Sequence, residues 1–186
     1  MLPLEMIALR ALRKRAFGAL EGEILELGAG TGVNLPLYSP DARVVVIDLS
    51  HPMLKVVPQR ATEANIYRVQ ADVEHLPFPQ GTFQTVTGSL VFCSVVNPAR
   101  GLAEIWRVAR DGARLLLVEH TRGDGPGAWL TDLLAPVWLR ISDVCHLNRE
   151  THHTIAEAGF DVIRLESRVM GIFRLIEAVK NHSRML

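Results

Sequence analysis

Only two cysteines, Cys93 and Cys145, occur in the 186 residues. They form no CxxC pair and no ladder of bridges, so a disulfide scaffold is excluded and a reducing, cytoplasmic setting is expected. Excess charge of one sign is missing too: twenty basic and twenty acidic residues give a formal net charge of zero. A protein that binds nucleic acid by neutralising phosphates is not expected from such a balance. No apolar run approaches the roughly twenty residues needed to span a bilayer. The first residues, MLPLEMIALRALRKRAF, carry their basic cluster after the apolar ones, the reverse of a secretory signal. Repeats and low-complexity linkers are lacking as well. The one loose stretch is Gly123-Asp124-Gly125-Pro126-Gly127, expected as a loop within a single domain over residues 1–186.

What is present is a chain that is 48% hydrophobic and 22% charged, enough to fill a core. Pro3 to Leu20 reads as an amphipathic helix, with Ile7, Leu9, Leu12, Ala16 and Leu20 apolar and Arg10, Arg13, Lys14 and Arg15 charged. Ala42 to Asp48 is nearly unbroken by polar residues and rich in valine, as suits a parallel strand buried on both faces. Ser50 with Pro52 marks a helix start, and Pro58 is expected to end or kink that helix. Further strands are expected at Ile66 to Ala71, Phe83 to Ser89, Ala113 to Glu119, Phe160 to Ser167 and Ile172 to Val179, the last two joined at Gly171. Helices are expected at Pro98 to Ala109 and Thr151 to Ala158. Strands alternating with helices and closing in a hairpin predict an α/β sheet, mostly parallel, with one antiparallel strand near an edge.

The strongest local signal is Ile24-Leu25-Glu26-Leu27-Gly28-Ala29-Gly30-Thr31-Gly32. A strand runs into a glycine turn where backbone can bend sharply and a ligand can lie against it. The nicotinamide fingerprint needs a glycine where Val33 stands, which argues against a dinucleotide oxidoreductase. Asp48 ends the second strand, where a carboxylate can accept both hydroxyls of a ribose, and Asp72 ends the third. Three neighbouring strand ends thus carry a glycine turn or a carboxylate, on the side of the sheet where such folds bind ligands.

ILELGAGTG, VVVIDLS, QADVEHLPF and the strand beginning at Phe83 resemble the four cofactor motifs of class I S-adenosylmethionine-dependent methyltransferases, and within them the type 11 group. That group includes bacterial phosphatidylethanolamine N-methyltransferases, quinone-synthesis C-methyltransferases and thiol methyltransferase-like proteins. Asn34–Tyr38, Val91–Val95 and Cys145–Thr151 point to its phospholipid or thiol side. The resemblance implies a Rossmann-like, doubly wound, mostly parallel seven-stranded sheet with a C-terminal antiparallel hairpin. It implies S-adenosylmethionine as cofactor and S-adenosylhomocysteine as product. Gly28, Ala29, Gly30, Thr31 and Gly32 would pass under its methionyl and ribose parts, with Asn34 beside them and Glu26 near the ammonium. Asp48 would hold the ribose, Leu49 and Met53 would flank the adenine, Asp72 and the Val73 backbone would meet its edge, and Ser89 and Leu90 would line the methionyl end. Three positions depart from the pattern: Val46 and Gln84 replace a glycine and an aspartate, and Arg110-Asp111-Gly112-Ala113 stands for a proline-glycine-glycine turn. Relatives commonly carry an N-terminal segment with tyrosines over the cofactor; little precedes the first helix here, so a more open site is expected.

The methyl donor needs an aligned acceptor more than it needs acid–base help. His120, after Glu119, is the candidate general base, although a loop cap is its weightier reading. Cys93 reads as a small buried hydrophobe. Cys145-His146 with His152-His153 matches no structural zinc spacing, so no metal is expected. Ala128 to Ile141 carries Trp129, Leu130, Leu133, Leu134, Val137, Trp138, Leu139 and Ile141. The weightier reading is a core helix on the sheet; the other is a greasy acceptor site or a lipid contact. The basic face of the first helix suits anionic headgroups, or is simply solvated. The expected partner is a small or lipid-like acceptor, with peripheral membrane contact open and oligomeric state unread. A non-catalytic module binding S-adenosylmethionine or its product is the rival from another class.

Overall fold

The computed structural model describes residues 3–57, 64–142 and 145–181. Valine- and leucine-rich segments form a single seven-stranded sheet in the order β3-β2-β1-β4-β5-β7-β6. Its strands are β1 (Glu23–Leu27), β2 (Arg43–Asp48), β3 (Asn65–Gln70), β4 (Phe83–Ser89), β5 (Ala109–His120), β6 (Asp161–Arg168) and β7 (Phe173–Val179). The first five pair in parallel, and β7 runs antiparallel to both β5 and β6. The expected sheet and hairpin are therefore what the chain forms.

Helices cover both faces, as an all-apolar parallel sheet requires. On one side α1 (Pro3–Phe17) and α2 (His51–Val56) enclose Leu9, Leu12, Phe17, Val44, Leu54, Leu116 and Val118. On the other, α3 (Pro98–Val108) and α5 (Thr151–Glu157) enclose Leu102, Ile105, Leu115, Leu117 and Ile155. Helix starts follow local chemistry. The Ser50 side chain accepts from the Met53 amide at 3.4 Å, and the Asn97 side chain accepts from the Arg100 amide at 3.1 Å, each with proline in the first turn. Helix α2 stops at Val56; Pro58, expected to end or kink it, lies outside the described residues.

Two expectations about elements are corrected. Strand β5 begins at Ala109 rather than Ala113: Ala109 pairs with Phe83, the register slips, and pairing resumes at Arg114 with Thr85. The expected turn at Arg110–Ala113 is thus a bulge inside the strand, made possible by Gly112 at φ 77°. Lys180 fastens it, donating to the Ala109 carbonyl at 2.9 Å.

The second correction concerns α4 (Pro126–Ser142), expected over Ala128 to Ile141 as a core helix. Its base is anchored: Gly127 is buried, and Thr131 Oγ1 donates to the Gly127 carbonyl at 3.0 Å and accepts from the Gly123 amide at 3.3 Å. Farther along, Asp132 pairs with Arg122 at 2.8 Å and Trp138 meets His120 edge-on, so the helix touches the chain along one side. Beyond Thr131, Leu133, Leu134, Val137, Trp138 and Ile141 are exposed, as is Trp129, with Ile141 at 72%. An apolar sequence does not say what it packs against, so the same residues read alike for a core helix and for one awaiting a partner. Among the described residues no helix is long and apolar enough to cross a membrane.

Candidate cofactor and acceptor site

The tips of β1 to β4 open into a cavity of about 270 Å³. Gly28, Asp48, Leu49, Asp72, Val73 and Leu90 line it, together with Ile47, Ala71, Glu74, Val91 and Ser94–Val96. Six expected site residues from four separate strands therefore share one hollow. The remaining expected residues (Glu26, Ala29, Gly30, Thr31, Gly32, Asn34, Met53, Ser89 and His120) are not among its lining.

The glycine turn is shaped by backbone angles: Gly28, Gly30 and Gly32 all have positive φ, from 51° to 76°. A Cβ on Gly28 would come within 2.8 Å of Val91 Cγ2, so a side chain there would collide with the cavity wall. The turn is tied to β2. The Gly30 amide donates to Asp48 Oδ2 at 2.9 Å, and the Ser50 amide donates to Oδ1 at 2.8 Å. Asp72 is set similarly by the Glu74 amide, at 2.9 Å from Oδ1. Both carboxylates are oriented by the backbone and retain lone pairs for a ligand.

Glu26 lies beneath the turn, 1% exposed. Asn34 Nδ2 donates to its Oε1 at 2.8 Å, Tyr38 donates its hydroxyl to Oε2, and Thr87 Oγ1 stands 3.4 Å from Oε2. Burial pushes its carboxyl up to about 7, against the pull of Asn34, Thr87 and Arg13. Glu26 and Asn34 are thereby partners in one buried network that supports the turn. Arg13 reaches in from α1, donating to Ser89 Oγ at 2.8 Å. It brings a cation to the tip of β4, a role that its place on a charged helix face did not signal.

Glu119, at the end of β5, is fully buried. Its Oε1 accepts from the amides of Val91 at 3.0 Å and Phe92 at 3.1 Å, while Oε2 has no hydrogen-bond partner among the described residues. Burial raises this carboxyl to about 7 as well. Glu119 thus holds the loop after β4 that forms one wall of the cavity. The signal for it was available: a lone acid at the end of the apolar run Leu115–Val118.

His120 ends β5, where its ring packs among aromatic side chains. It stacks on Phe173 at 4.7 Å between centroids and meets Trp138 edge-on at 6.5 Å. Its ring also lies close enough to the Cys145 thiol to lower that group's pKa. Among the described residues no group of three or more histidine, cysteine or acidic side chains is placed to hold a metal ion.

A seven-stranded sheet of this order, with a glycine turn and two carboxylates at adjacent strand tips, defines the class I methyltransferase fold. A family profile described as "Methyltransferase domain" matches residues 25–117, and the chain belongs to this family of class I S-adenosylmethionine-dependent methyltransferases. It is 39% identical over 119 residues to the phosphatidylethanolamine N-methyltransferase of Cereibacter sphaeroides, covering 61% of this chain and 59% of that protein. It is 32% identical over 162 residues to thiol S-methyltransferase TMT1B of Rattus norvegicus, covering 78% and 63%. The chain thus spans about three-fifths of the length of these curated relatives. In fold it resembles an S-adenosylmethionine-dependent methyltransferase from Mesorhizobium loti, with a TM-score of 0.68, 21% identity and coverage of 94% and 97%. It also resembles the cyclase SpnF, with a TM-score of 0.71, 16% identity and coverage of 95% and 80%. A fold shared with a cyclase leaves chemistry to be argued from the site.

Proposed function

We propose that this chain transfers a methyl group from S-adenosylmethionine to an apolar, lipid-like acceptor. The observation that carries the reading is the single cavity in which Gly28, Asp48, Leu49, Asp72, Val73 and Leu90 meet. Its chemistry suits the cofactor. Asp48 accepts from a ribose diol, Asp72 accepts from an adenine amino group, and Leu49 offers apolar surface to the base, with Met53 outside it. The glycine turn admits a ligand where any side chain at position 28 would intrude. Ser89 and Leu90 lie toward the methionyl end, and the Arg13 cation there suits a carboxylate.

When bound, the cofactor supplies a methyl group already activated on a charged sulfur. The residues of this chain orient the acceptor and keep water out. His120, packed between Phe173 and Trp138, takes a proton where the acceptor arrives protonated. The exposed apolar side chains of α4 supply the acceptor side with a greasy surface that suits peripheral contact with a membrane, and this reading sets the chain in the cytoplasm. A relative named for phosphatidylethanolamine supports a phospholipid amine as the first acceptor to try.

The test uses the purified chain with methyl-labelled S-adenosylmethionine and three acceptors: phosphatidylethanolamine vesicles, a demethylated quinone and an alkyl thiol. Label in the extracted lipid, with S-adenosylhomocysteine formed in step, is the expected result. Label only in the thiol or quinone moves the acceptor class. Cofactor binding by calorimetry with no transfer to any acceptor replaces the enzyme by a binding module.

A further inference from the structure

The chain's two cysteines, far apart in sequence, meet beside the cavity. Cys93 is buried in the loop after β4, and Cys145 is half-buried in the segment between α4 and α5. The side chains of Cys93, His120 and Trp138 all lie close enough to act electrostatically on the Cys145 sulfur. His120 and Trp138 meet edge-on beside it at 6.5 Å between centroids. The backbones around the pair are already clasped: the His146 amide donates to the Cys93 carbonyl at 2.7 Å, and Arg149 Nη1 donates to the Val95 carbonyl at 2.6 Å and to the Phe92 carbonyl.

We propose that Cys145 and Cys93 form a hydroperoxide-reactive dithiol, in which the Cys145 sulfur attacks the peroxide and Cys93 closes the product into an intramolecular disulfide. In the first step the Cys145 thiolate forms a bond to the distal oxygen of the hydroperoxide as the O–O bond breaks. A sulfenic acid remains on Cys145, and the leaving alkoxide takes the proton that ionisation of Cys145 released. In the second step the Cys93 sulfur attacks the Cys145 sulfur. The S–O bond breaks, and the hydroxide leaves as water with the Cys93 proton. Two thiols are oxidised by two electrons, and the peroxide is reduced to an alcohol and water.

The local chemistry favours this division of roles. The side chains of Cys93, then of His120 and Trp138, pull the Cys145 thiol well below the ordinary thiol range. The same contact to Cys145, with burial and the nearby Glu119 carboxyl, pushes Cys93 up; Arg149 opposes this. The accessible sulfur is therefore the attacking one and the buried sulfur is the resolving one. The disulfide would tie the segment after α4 to the loop whose Val91, Ser94, Val95 and Val96 line the cavity. The dithiol stands apart from the methyl-transfer reading, since neither sulfur is assigned a part in it.

The reduced 186-residue chain, treated with equimolar cumene hydroperoxide, is expected to lose two hydrogens and give a Cys93–Cys145 peptide on mapping. In Cys93→Ser the reaction should stop at a dimedone-trapped sulfenic acid on Cys145, and in Cys145→Ser no peroxide should be consumed. On the unaltered chain, iodoacetamide should label Cys145 at pH 6 roughly tenfold faster than an ordinary exposed thiol. Linkage only between separate chains, peroxide consumption unchanged in Cys145→Ser, or an ordinary thiol pH profile for Cys145 would each overturn the proposal. The labelling measurement needs no substitution, so it decides even where a variant fails to fold.

Discussion

The carboxylate of Asp48 accepts from the Gly30 amide at 2.9 Å, joining the tip of β2 to the turn that follows β1. Orientation of the acid and shape of the turn are therefore set together. Its second oxygen is fixed by the amide of Ser50, whose side chain caps the start of α2.

Replacing Asp48 by asparagine keeps the size and removes the charge. Binding of S-adenosylhomocysteine should weaken by about 1.5–3 kcal/mol, the range for hydrogen bonds to a charged group. Titration calorimetry reads this directly, and an unchanged affinity would strip Asp48 of its part in holding the ribose.

Gly28→Ala faces two obstacles, a φ of 55° and a contact at 2.8 Å with Val91 Cγ2. Backbone strain alone should cost about 1–3 kcal/mol of stability. Adding Val91→Ala removes the collision and leaves the strain. The double variant should therefore recover part of the lost urea midpoint, and no recovery would place the damage elsewhere.

Glu26 and Glu119 both have carboxyl groups raised by burial from 4.5 to about 7. Between those values the folded chain holds protons that the unfolded chain has released. Stability contributed by each group is full below the ordinary carboxylate range and is lost as pH rises through about 7. Urea midpoints should therefore fall from pH 5 to pH 8, and Glu26→Gln should flatten the fall. A wild-type midpoint that rises across this interval would contradict the burial of these acids as the controlling effect.

The exposed residues of α4 allow a test that separates packing from docking. Trp129→Ser with Val137→Ser should change stability by no more than about 0.5 kcal/mol, as for surface sites. The same pair should lower co-flotation with phospholipid vesicles and raise the KM for a lipid acceptor. A large drop in thermal stability would mean that the helix packs on its own chain.

The sheet was legible because its signals are local. Val44–Ile47 and the run at Leu115–Val118 can only be buried strands, and glycines at 28, 30 and 32 permit the turn that Asp48 completes. The strand-tip aspartates were legible for the same reason, since position along a strand sets where its end points. What stayed hidden depends on contacts across the chain. Nothing in the charged face of α1 tells Arg13 from Arg10, yet only the former reaches Ser89. The bulge at Arg110–Ala113 is a matter of register with β4, which no single segment encodes. Helix α4 misled because hydrophobicity states a need for cover and not its source.

Inserting β7 between β5 and β6 has a consequence for synthesis. Until residue 179 has been made, β5 has an open flank and β6 has no neighbour to pair with. A nascent chain truncated after β6 would present a long valine- and leucine-rich edge, the kind of surface that recruits chaperones or sticks to another copy. Assembly during synthesis is thus expected to pause at five strands, with closure of the sheet waiting for β7 to be made.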